Sequence, residues 1–184
     1  MIHLILGRQG SGKTLFLVQQ AYQFYKAGKT VYSNVALKFP YKQLDYKDII
    51  DCKLEDGIVI LDEVHLLLSA RNSMAKNSRL IVDNFLSMVR KKNLQIFGST
   101  QKFRKVDIRF REEADFIYDC TKFAYNGKEW IEVLHNQDLS RNIPIMIKLV
   151  AQETYIGNEV NLNFIGNPYF KLYDSREIIK VKGI

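Results

Sequence analysis

The chain has 184 residues, 47% of them apolar and 26% charged, a composition that is ordinary for a globular protein and predicts one domain with a substantial core. No apolar run approaches the ~18 residues that a membrane-spanning helix needs, so we expect a soluble, intracellular protein without a signal peptide. Cys52 and Cys120 are too few and too far apart for a disulfide framework or a zinc site, and packing is the expected role of Cys120.

The net charge of +7 is concentrated in one segment. Residues 90–111 contain eight Lys and Arg residues and a single acid, Asp107, so the charge of this segment equals that of the whole chain. A local basic cluster of this kind favours a polyanionic partner, with a solvated basic face as the alternative.

The amino-terminal residues predict a phosphate-binding loop. Residues 7–14 read GRQGSGKT and fit G-x-x-x-x-G-K-[ST] at every fixed position. An apolar strand over residues 1–6 precedes the loop, and a helix with apolar residues at helical spacing follows it over residues 14–27. This order aims backbone N–H groups and a helix N-terminus at a phosphate. The expected nucleotide contacts are Gly7, Gln9, Gly10, Ser11, Gly12, Lys13 and Thr14.

Within this loop, two residues have distinct expected roles. Lys13 reaches the β- and γ-phosphates of the nucleotide, and the Thr14 hydroxyl binds Mg²⁺.

Strands and helices alternate over the first hundred residues, which predicts a mostly parallel α/β sheet. Strands are predicted at residues 30–35, 58–61 and 94–98, and a short helix within the loop of residues 39–53. Before the last of these strands, a helix is predicted with an apolar stripe of Leu80, Val82, Phe85, Leu86 and Val89.

The remaining residues predict hairpins. Residues 116–125 and 128–135 flank Asn126-Gly127, a strong hairpin signal, and residues 145–152, 159–164 and 169–173 are further short β segments. We therefore expect one domain over residues 1–184, with a core over 1–121 and a β-rich extension over 122–184.

A second nucleotide motif follows the strand at residues 58–61. Asp62 at its end is the acidic partner of a phosphate loop, where a carboxylate holds Mg²⁺ together with Thr14. Glu63 can polarise a water for attack on the γ-phosphate, which favours ATP hydrolysis over transfer to a substrate hydroxyl. Gln101, at the end of the next strand, can position that water and sense the phosphate. For His65 we expect packing or capping.

These ordered motifs resemble the FtsK–HerA superfamily of DNA-pumping ATPases. Leu-Asp-Glu-Val-His at residues 61–65 and Arg-Lys-Lys-Asn-Leu at 90–94, leading to Ser-Thr-Gln at 99–101, are most similar to the genome-packaging ATPases of icosahedral viruses with double-stranded DNA, including archaeal turreted viruses. Residues 60–118 are also similar to the zonula-occludens-toxin-like ATPases of filamentous phage assembly.

The resemblance implies a RecA-like core of the ASCE type, a ring that is a hexamer, and double-stranded DNA contacted through its phosphates without sequence preference. It implies a Mg²⁺-dependent ATPase that packages a viral genome, with a capsid or portal-vertex protein as partner. The lack of a long apolar run predicts no stable membrane insertion. It places the protein in the host cytoplasm, with docking on the capsid or virion as the alternative. Arg90 matches the arginine that completes a neighbour's site, with Arg104, Arg109 and Arg111 as rivals.

Other functions remain open at this point. A loop at residues 69–78, with Arg71, Lys76 and Arg79 in or beside it, is the expected pore loop, and a surface loop is the alternative. A membrane-associated phage assembly or extrusion ATPase is the runner-up function. A nucleoside kinase of the RecA-like type ranks lower, because it normally carries a four-cysteine zinc site that two cysteines cannot build.

Overall fold

A mostly parallel sheet organises the protein. The structure, a computed structural model, describes residues 1–66, 76–133 and 143–174, with the backbone alone for Tyr46 and residues 76–81. The strands are β1 Ile2–Leu6, β2 Thr30–Ser33, β3 Lys42–Gln43, β4 Gly57–Leu61, β5 Leu94–Thr100, β6 Phe116–Tyr125, β7 Trp130–Glu132, β8 Ile145–Glu153 and β9 Glu159–Ile165. The helices are α1 Lys13–Lys26, α2 Tyr46–Ile50, α3 Lys76–Lys91 and α4 Ile108–Glu112, with 3-10 turns at Val64–Leu66, Phe103–Lys105 and Asn167–Leu172.

The order of the described strands is β3-β2-β4-β5-β1-β6-β8-β9, and β7 pairs with β6. All neighbours from β3 to β6 are parallel, whereas β6–β7, β6–β8 and β8–β9 are antiparallel. The predicted fold class, a mostly parallel α/β sheet with a β-rich extension, is therefore confirmed.

Strand β5 lies between β1 and β4. The three strands are parallel, so the residues that follow their carboxyl ends meet at one edge of the sheet. These are the phosphate loop after β1, Asp62-Glu63 after β4 and Gln101 after β5.

Helices cover both faces of the parallel strands. Helix α1 packs Leu15, Leu17 and Val18 against one face, which continues onto β8 through Ile147. Helices α2, α3 and α4 cover the other face with buried residues such as Phe85. Among the described residues, no helix is both long and apolar enough to cross a bilayer.

The hairpin prediction at Asn126-Gly127 is confirmed. Tyr125 pairs with Trp130, Gly127 has a φ of 95°, and the Asn126 side-chain oxygen accepts hydrogen bonds from the backbone N–H groups of Lys128 and Glu129, each at 2.9 Å. The loop therefore has four residues rather than two.

The strand predicted at residues 169–173 is wrong. Residues Asn167–Leu172 form a 3-10 turn, because Pro168 fixes φ at its start and has no N–H for a ladder. Only Tyr173 makes an isolated antiparallel bridge, to Leu37.

His3 of β1 is buried inside an aromatic stack. Its ring lies 4.1 Å from that of Phe97 and 5.3 Å from that of Phe116, nearly parallel to both, and its Nδ1 is 2.8 Å from the Tyr118 hydroxyl. Burial lowers the pKa of His3 to about 4. The folded protein therefore holds this imidazole neutral where an unfolded chain would protonate it.

Acid should destabilise the protein through His3. Between pH 6.5 and about 4 the unfolded chain binds a proton at His3 that the folded protein does not, so stability is lost as the pH falls through this window. The shift corresponds to about 3 kcal/mol. His3→Phe keeps the aromatic stack and should flatten that part of the pH dependence in denaturant titrations. Parallel stability–pH curves for the variant and the wild type would contradict this account.

Candidate functional site

The loop between β1 and α1 has the backbone of a phosphate-binding loop. Gly7, Gly10 and Gly12 adopt φ values of 148°, 78° and 97°, which residues with a side chain rarely reach. No side chain in the described part of the chain caps α1, and its first turn contains no acidic residue. Its first N–H groups are therefore available to an anion.

The phosphate loop rests directly on β6 and β8. A Cβ on Gly7 would lie 2.7 Å from the Cys120 carbonyl oxygen, and one on Gly12 would lie 2.3 Å from Ile147 Cδ1. The Cys120 thiol donates to the Ser11 carbonyl oxygen at 3.3 Å, and burial raises the pKa of Cys120 to about 12. Cys120 thus supports the loop as a packed, uncharged side chain.

Gly12→Ala should abolish nucleotide binding, because it strains the backbone and collides with the fully buried Ile147. Gly28→Ala is the matched control: Gly28 also has a positive φ, 76°, but a Cβ there meets nothing within 4 Å, so only about 1 kcal/mol of backbone strain is expected. Ile147→Val removes the clashing Cδ1, and the double variant Gly12→Ala/Ile147→Val should regain part of the affinity. Nucleotide titration and thermal unfolding measure both effects. Equal losses in Gly12→Ala and Gly28→Ala would rule out the packing contribution.

Lys13 is buried at the start of α1 and curls back over the loop. Its Nζ donates to the carbonyl oxygens of Gly7 and Arg8, each at 2.9 Å. Burial lowers the pKa of Lys13, and the nearby charges of Glu63 and Asp62 oppose that shift. The ammonium group therefore contacts the loop backbone and lies near the carboxylates of Asp62 and Glu63.

Thr14 and Asp62, the two predicted metal ligands, are in contact. The Thr14 hydroxyl donates to Asp62 Oδ2 at 2.7 Å, and Ser99 Oγ donates to Asp62 Oδ1. A fixed carboxylate beside a hydroxyl is an oxygen donor set that suits Mg²⁺, which usually takes one or two protein ligands together with phosphate oxygens and waters. Within the described ranges, no group of three or more His, Cys, Asp or Glu residues could hold a metal by itself.

Asn34 binds the backbone of Asp62 through two hydrogen bonds, and the sequence did not identify it as part of the site. Its side-chain nitrogen donates to the Asp62 carbonyl oxygen at 2.9 Å, and its side-chain oxygen accepts from the Asp62 N–H at 2.8 Å. This buried amide continues the β2–β4 ladder past Ser33. Only strand pairing brings the two residues together, so no local pattern marks Asn34.

Glu63 and Gln101 are in contact. Gln101 Nε2 donates to Glu63 Oε1 at 2.7 Å, and Glu63 has a left-handed backbone with a φ of 51°. Glu63 Oε2 is buried and lies 3.1 Å from His65 Nδ1. The carboxylate predicted to activate water thus accepts a hydrogen bond from Gln101 at Oε1 and has His65 close to Oε2.

Arg90, the arginine predicted to complete a neighbour's nucleotide site, lies far from the phosphate loop of its own chain. Arg90 lies near the amino end of β5 and pairs with Glu113 at 2.5 Å, and its contact with Glu113 raises the pKa of Arg90. Gln101 is at the other end of that seven-residue strand, about 20 Å away, so Arg90 cannot reach the phosphate loop of its own chain.

The three rival arginines also differ in their contacts. Arg109 pairs with Asp107 and Asp83, and the Arg111 guanidinium lies 5.1 Å from the Phe103 ring centroid. Arg104 is exposed. Most of the predicted pore loop at residues 69–78 lies outside the described residues, and α3 begins at Lys76.

The sheet order and the loop after β1 define a RecA-like P-loop NTPase fold, and solved structures share it. The chain has a TM-score of 0.56 and 19% identity to the N-terminal domain of zonular occludens toxin from Neisseria meningitidis, covering 94% of this chain and 98% of that one. For the genome packaging NTPase of Sulfolobus turreted icosahedral virus 2 in complex with ATP-gammaS, the TM-score is 0.54, the identity 15% and the coverage 87% and 95%. A DnaB-like replicative helicase gives 0.54 and 13%, over 88% of this chain and 54% of that one.

The sequence model of the zonular occludens toxin (Zot) family matches residues 40–176, and the chain belongs to this family. The resemblance to zonula-occludens-toxin-like proteins is thereby confirmed. The matched region contains Asp62, Glu63 and Gln101 and begins after the phosphate loop. No curated protein sequence matches the chain.

Proposed function

We propose that the protein is an ATP-hydrolysing motor that translocates double-stranded DNA, in the packaging of a viral genome into a preformed capsid. One observation carries the ATPase part: the phosphate loop, the Thr14–Asp62 pair and the Glu63–Gln101 pair meet at one edge of the sheet. The residues that we propose as phosphate cradle, cation ligand and general base therefore lie within one small region.

The residues divide the reaction between them. The loop N–H groups and Lys13 hold the phosphates, and Thr14 and Asp62 would hold Mg²⁺, which neutralises phosphate charge when bound. Glu63 accepts a proton from the attacking water, and Gln101 orients that water. The products are ADP and inorganic phosphate.

The basic segment at residues 90–111 supports DNA as the molecule that the motor moves. Lys102 and Arg104 are exposed beside the carboxyl end of β5, next to Gln101. Contacts from such side chains go to phosphates, so we propose binding without sequence preference. Two of the similar structures are a genome packaging NTPase and a replicative helicase, which fits this reading.

We further propose a ring of the FtsK–HerA type, a hexamer in which the whole chain acts as one ATPase domain and a capsid or portal-vertex protein is the docking partner. Arg90 is exposed on the sheet edge opposite the phosphate loop, so any catalytic role must be on a neighbour's nucleotide. An arginine in that role offsets charge on the transferred phosphoryl group. The ring would work in the host cytoplasm.

A second candidate is a phage assembly or extrusion ATPase. Membership of the Zot family favours it. The sequence resembles zonula-occludens-toxin-like proteins, and that resemblance implies a role in filamentous phage assembly. The site chemistry is the same for both candidates, and they differ in the substrate that is moved. A nucleoside kinase receives less support, because the Glu63–Gln101 pair occupies the place from which water would be activated.

ATP hydrolysis should be stimulated by duplex DNA and depend on Glu63. Glu63→Gln keeps the shape of the side chain but cannot take a proton, so turnover should fall about 100-fold or more while ATP binding persists. Lys13→Ala should instead weaken ATP binding itself. Phosphate release and nucleotide affinity are measured with and without duplex DNA, beside a nucleoside phosphorylation assay.

Each outcome selects one function. Hydrolysis stimulated by duplex DNA supports the motor, and hydrolysis indifferent to DNA favours the assembly ATPase. Phosphorylation of a nucleoside would support the kinase. An unchanged ATP affinity in Lys13→Ala would contradict the assignment of the phosphate loop. Strong ATP hydrolysis by Glu63→Gln would contradict the assignment of Glu63 as the general base.

DNA affinity should fall steeply with salt. Each neutralised phosphate releases condensed counterions, so the log–log slope changes by about 0.9 per contact. Lys102→Ala/Arg104→Ala should flatten this slope without creating a sequence preference. Affinities for two unrelated duplexes across a salt series provide the measurement.

The control removes the same charge elsewhere. Lys26→Ala/Lys47→Ala takes two positive charges from exposed positions outside the basic segment and should leave the slope nearly unchanged. Equal flattening by both double variants would show that net charge, rather than this surface, sets the binding.

A further inference from the structure

His65 lies where it can control Glu63. It is in the 3-10 turn Val64–Leu66 directly after the acidic pair, and its side chain is only 14% exposed. Its Nδ1 is 3.1 Å from Glu63 Oε2 and 3.2 Å from Thr100 Oγ1. We propose that His65 is a positioning residue, which holds Glu63 through Nδ1 so that Oε1 is presented to Gln101 and the attacking water. This inference rests on the proposed role of Glu63 in ATP hydrolysis.

Glu63 needs such a support because little else fixes its side chain. Gln101 holds Oε1 at 2.7 Å, but no hydrogen bond of good geometry reaches the buried Oε2 within the described ranges. A buried carboxylate oxygen without a donor costs free energy, so His65 Nδ1 is the group that can satisfy it. The left-handed backbone of Glu63 adds strain that its surroundings must hold in place.

The contacts also determine where the imidazole proton belongs. Thr100 Oγ1 accepts from the Lys102 N–H at 3.0 Å and can accept from His65 as well. A hydrogen on Nδ1 can be donated to Thr100 Oγ1, and it also places a positive hydrogen near Glu63 Oε2, which is 3.1 Å from Nδ1. With Nδ1 bare, its lone pair would face the carboxylate at 3.1 Å, which is repulsive. The proposed positioning role therefore predicts the Nδ1–H form.

The two supports of Glu63 come from different strands. His65 follows β4, whereas Thr100 and Gln101 lie at the end of β5 and lead into the exposed Lys102. The base is therefore held at the junction of the two strands, and the β5 side of this junction continues into the proposed DNA-contacting segment.

His65→Ala should lower kcat about 10- to 100-fold, as expected for a misplaced base, with the ATP dissociation constant and the thermal midpoint close to wild type. His65→Asn places an amide nitrogen near the Nδ1 position and should recover most of the lost turnover. The three proteins are compared by steady-state kinetics, ATP titration and thermal unfolding.

The alternatives give different results. Wild-type turnover in His65→Ala, or no recovery in His65→Asn, overturns the proposal. A parallel loss of affinity and thermal stability shows that His65 is structural, which also overturns it. Wild-type protein without any hydrolysis sinks the proposed function instead.

A readout that is independent of activity then decides the role of His65. Nitrogen-15 spectra of the imidazole at alkaline pH should show Nδ1–H for His65 in the wild type. A neutral Nε2–H form would overturn the positioning role whether or not the protein hydrolyses ATP.

Discussion

The placement of β5 between β1 and β4 is the constraint on which the site depends. Parallel pairing on both sides of β5 brings Ser99 beside Asp62 and sets Asp62 opposite the start of α1. Thr14 then reaches the carboxylate from the loop side. If β4 paired directly with β1, no strand would bring Gln101 to the side of Glu63, and the base would lose the group that holds its Oε1.

Local sequence pointed to the parts of the candidate site that lie within one motif. The phosphate loop was predicted because its glycines and Lys13 are adjacent in the chain, and Asp62 because it ends an apolar run. The structure brings these residues and Gln101 together, although their catalytic roles stay predictions. Asn34, Ser99 and Ile147 were not recognised as parts of the site, because each acts across strands that only the tertiary fold makes neighbours. His65 was expected to pack or cap, and its contact with Glu63 cannot be read from spacing.

Among the secondary-structure elements, too, some were predictable from local sequence and others were not. The apolar runs predicted at residues 58–61 and 94–98 became buried parallel strands, because burial on both faces leaves a continuous apolar signal. The segment at residues 169–173 has the aromatic composition of a strand but follows Pro168 and packs as a 3-10 turn beside α1. Aromatic composition favours a strand, but it did not predict this turn, in which no residue is fully buried and Phe170 is exposed.

The β-rich extension supports the nucleotide site rather than lying apart from it. Ile147 of β8 packs so closely against Gly12 that no side chain fits there, and β8 also pairs with β6, whose Cys120 thiol donates to the loop. The last described residues return to the same edge of the sheet: the Lys38 N–H donates to the Leu172 carbonyl oxygen at 2.8 Å, and burial together with the charge of Asp62 raises the pKa of Tyr173 to about 12. Tyr173 thus lies close enough to the Asp62 carboxylate to be influenced by its charge, while Thr14 contacts that carboxylate directly. The space available to the phosphate loop at Gly12 therefore depends on the position of Ile147 in the extension.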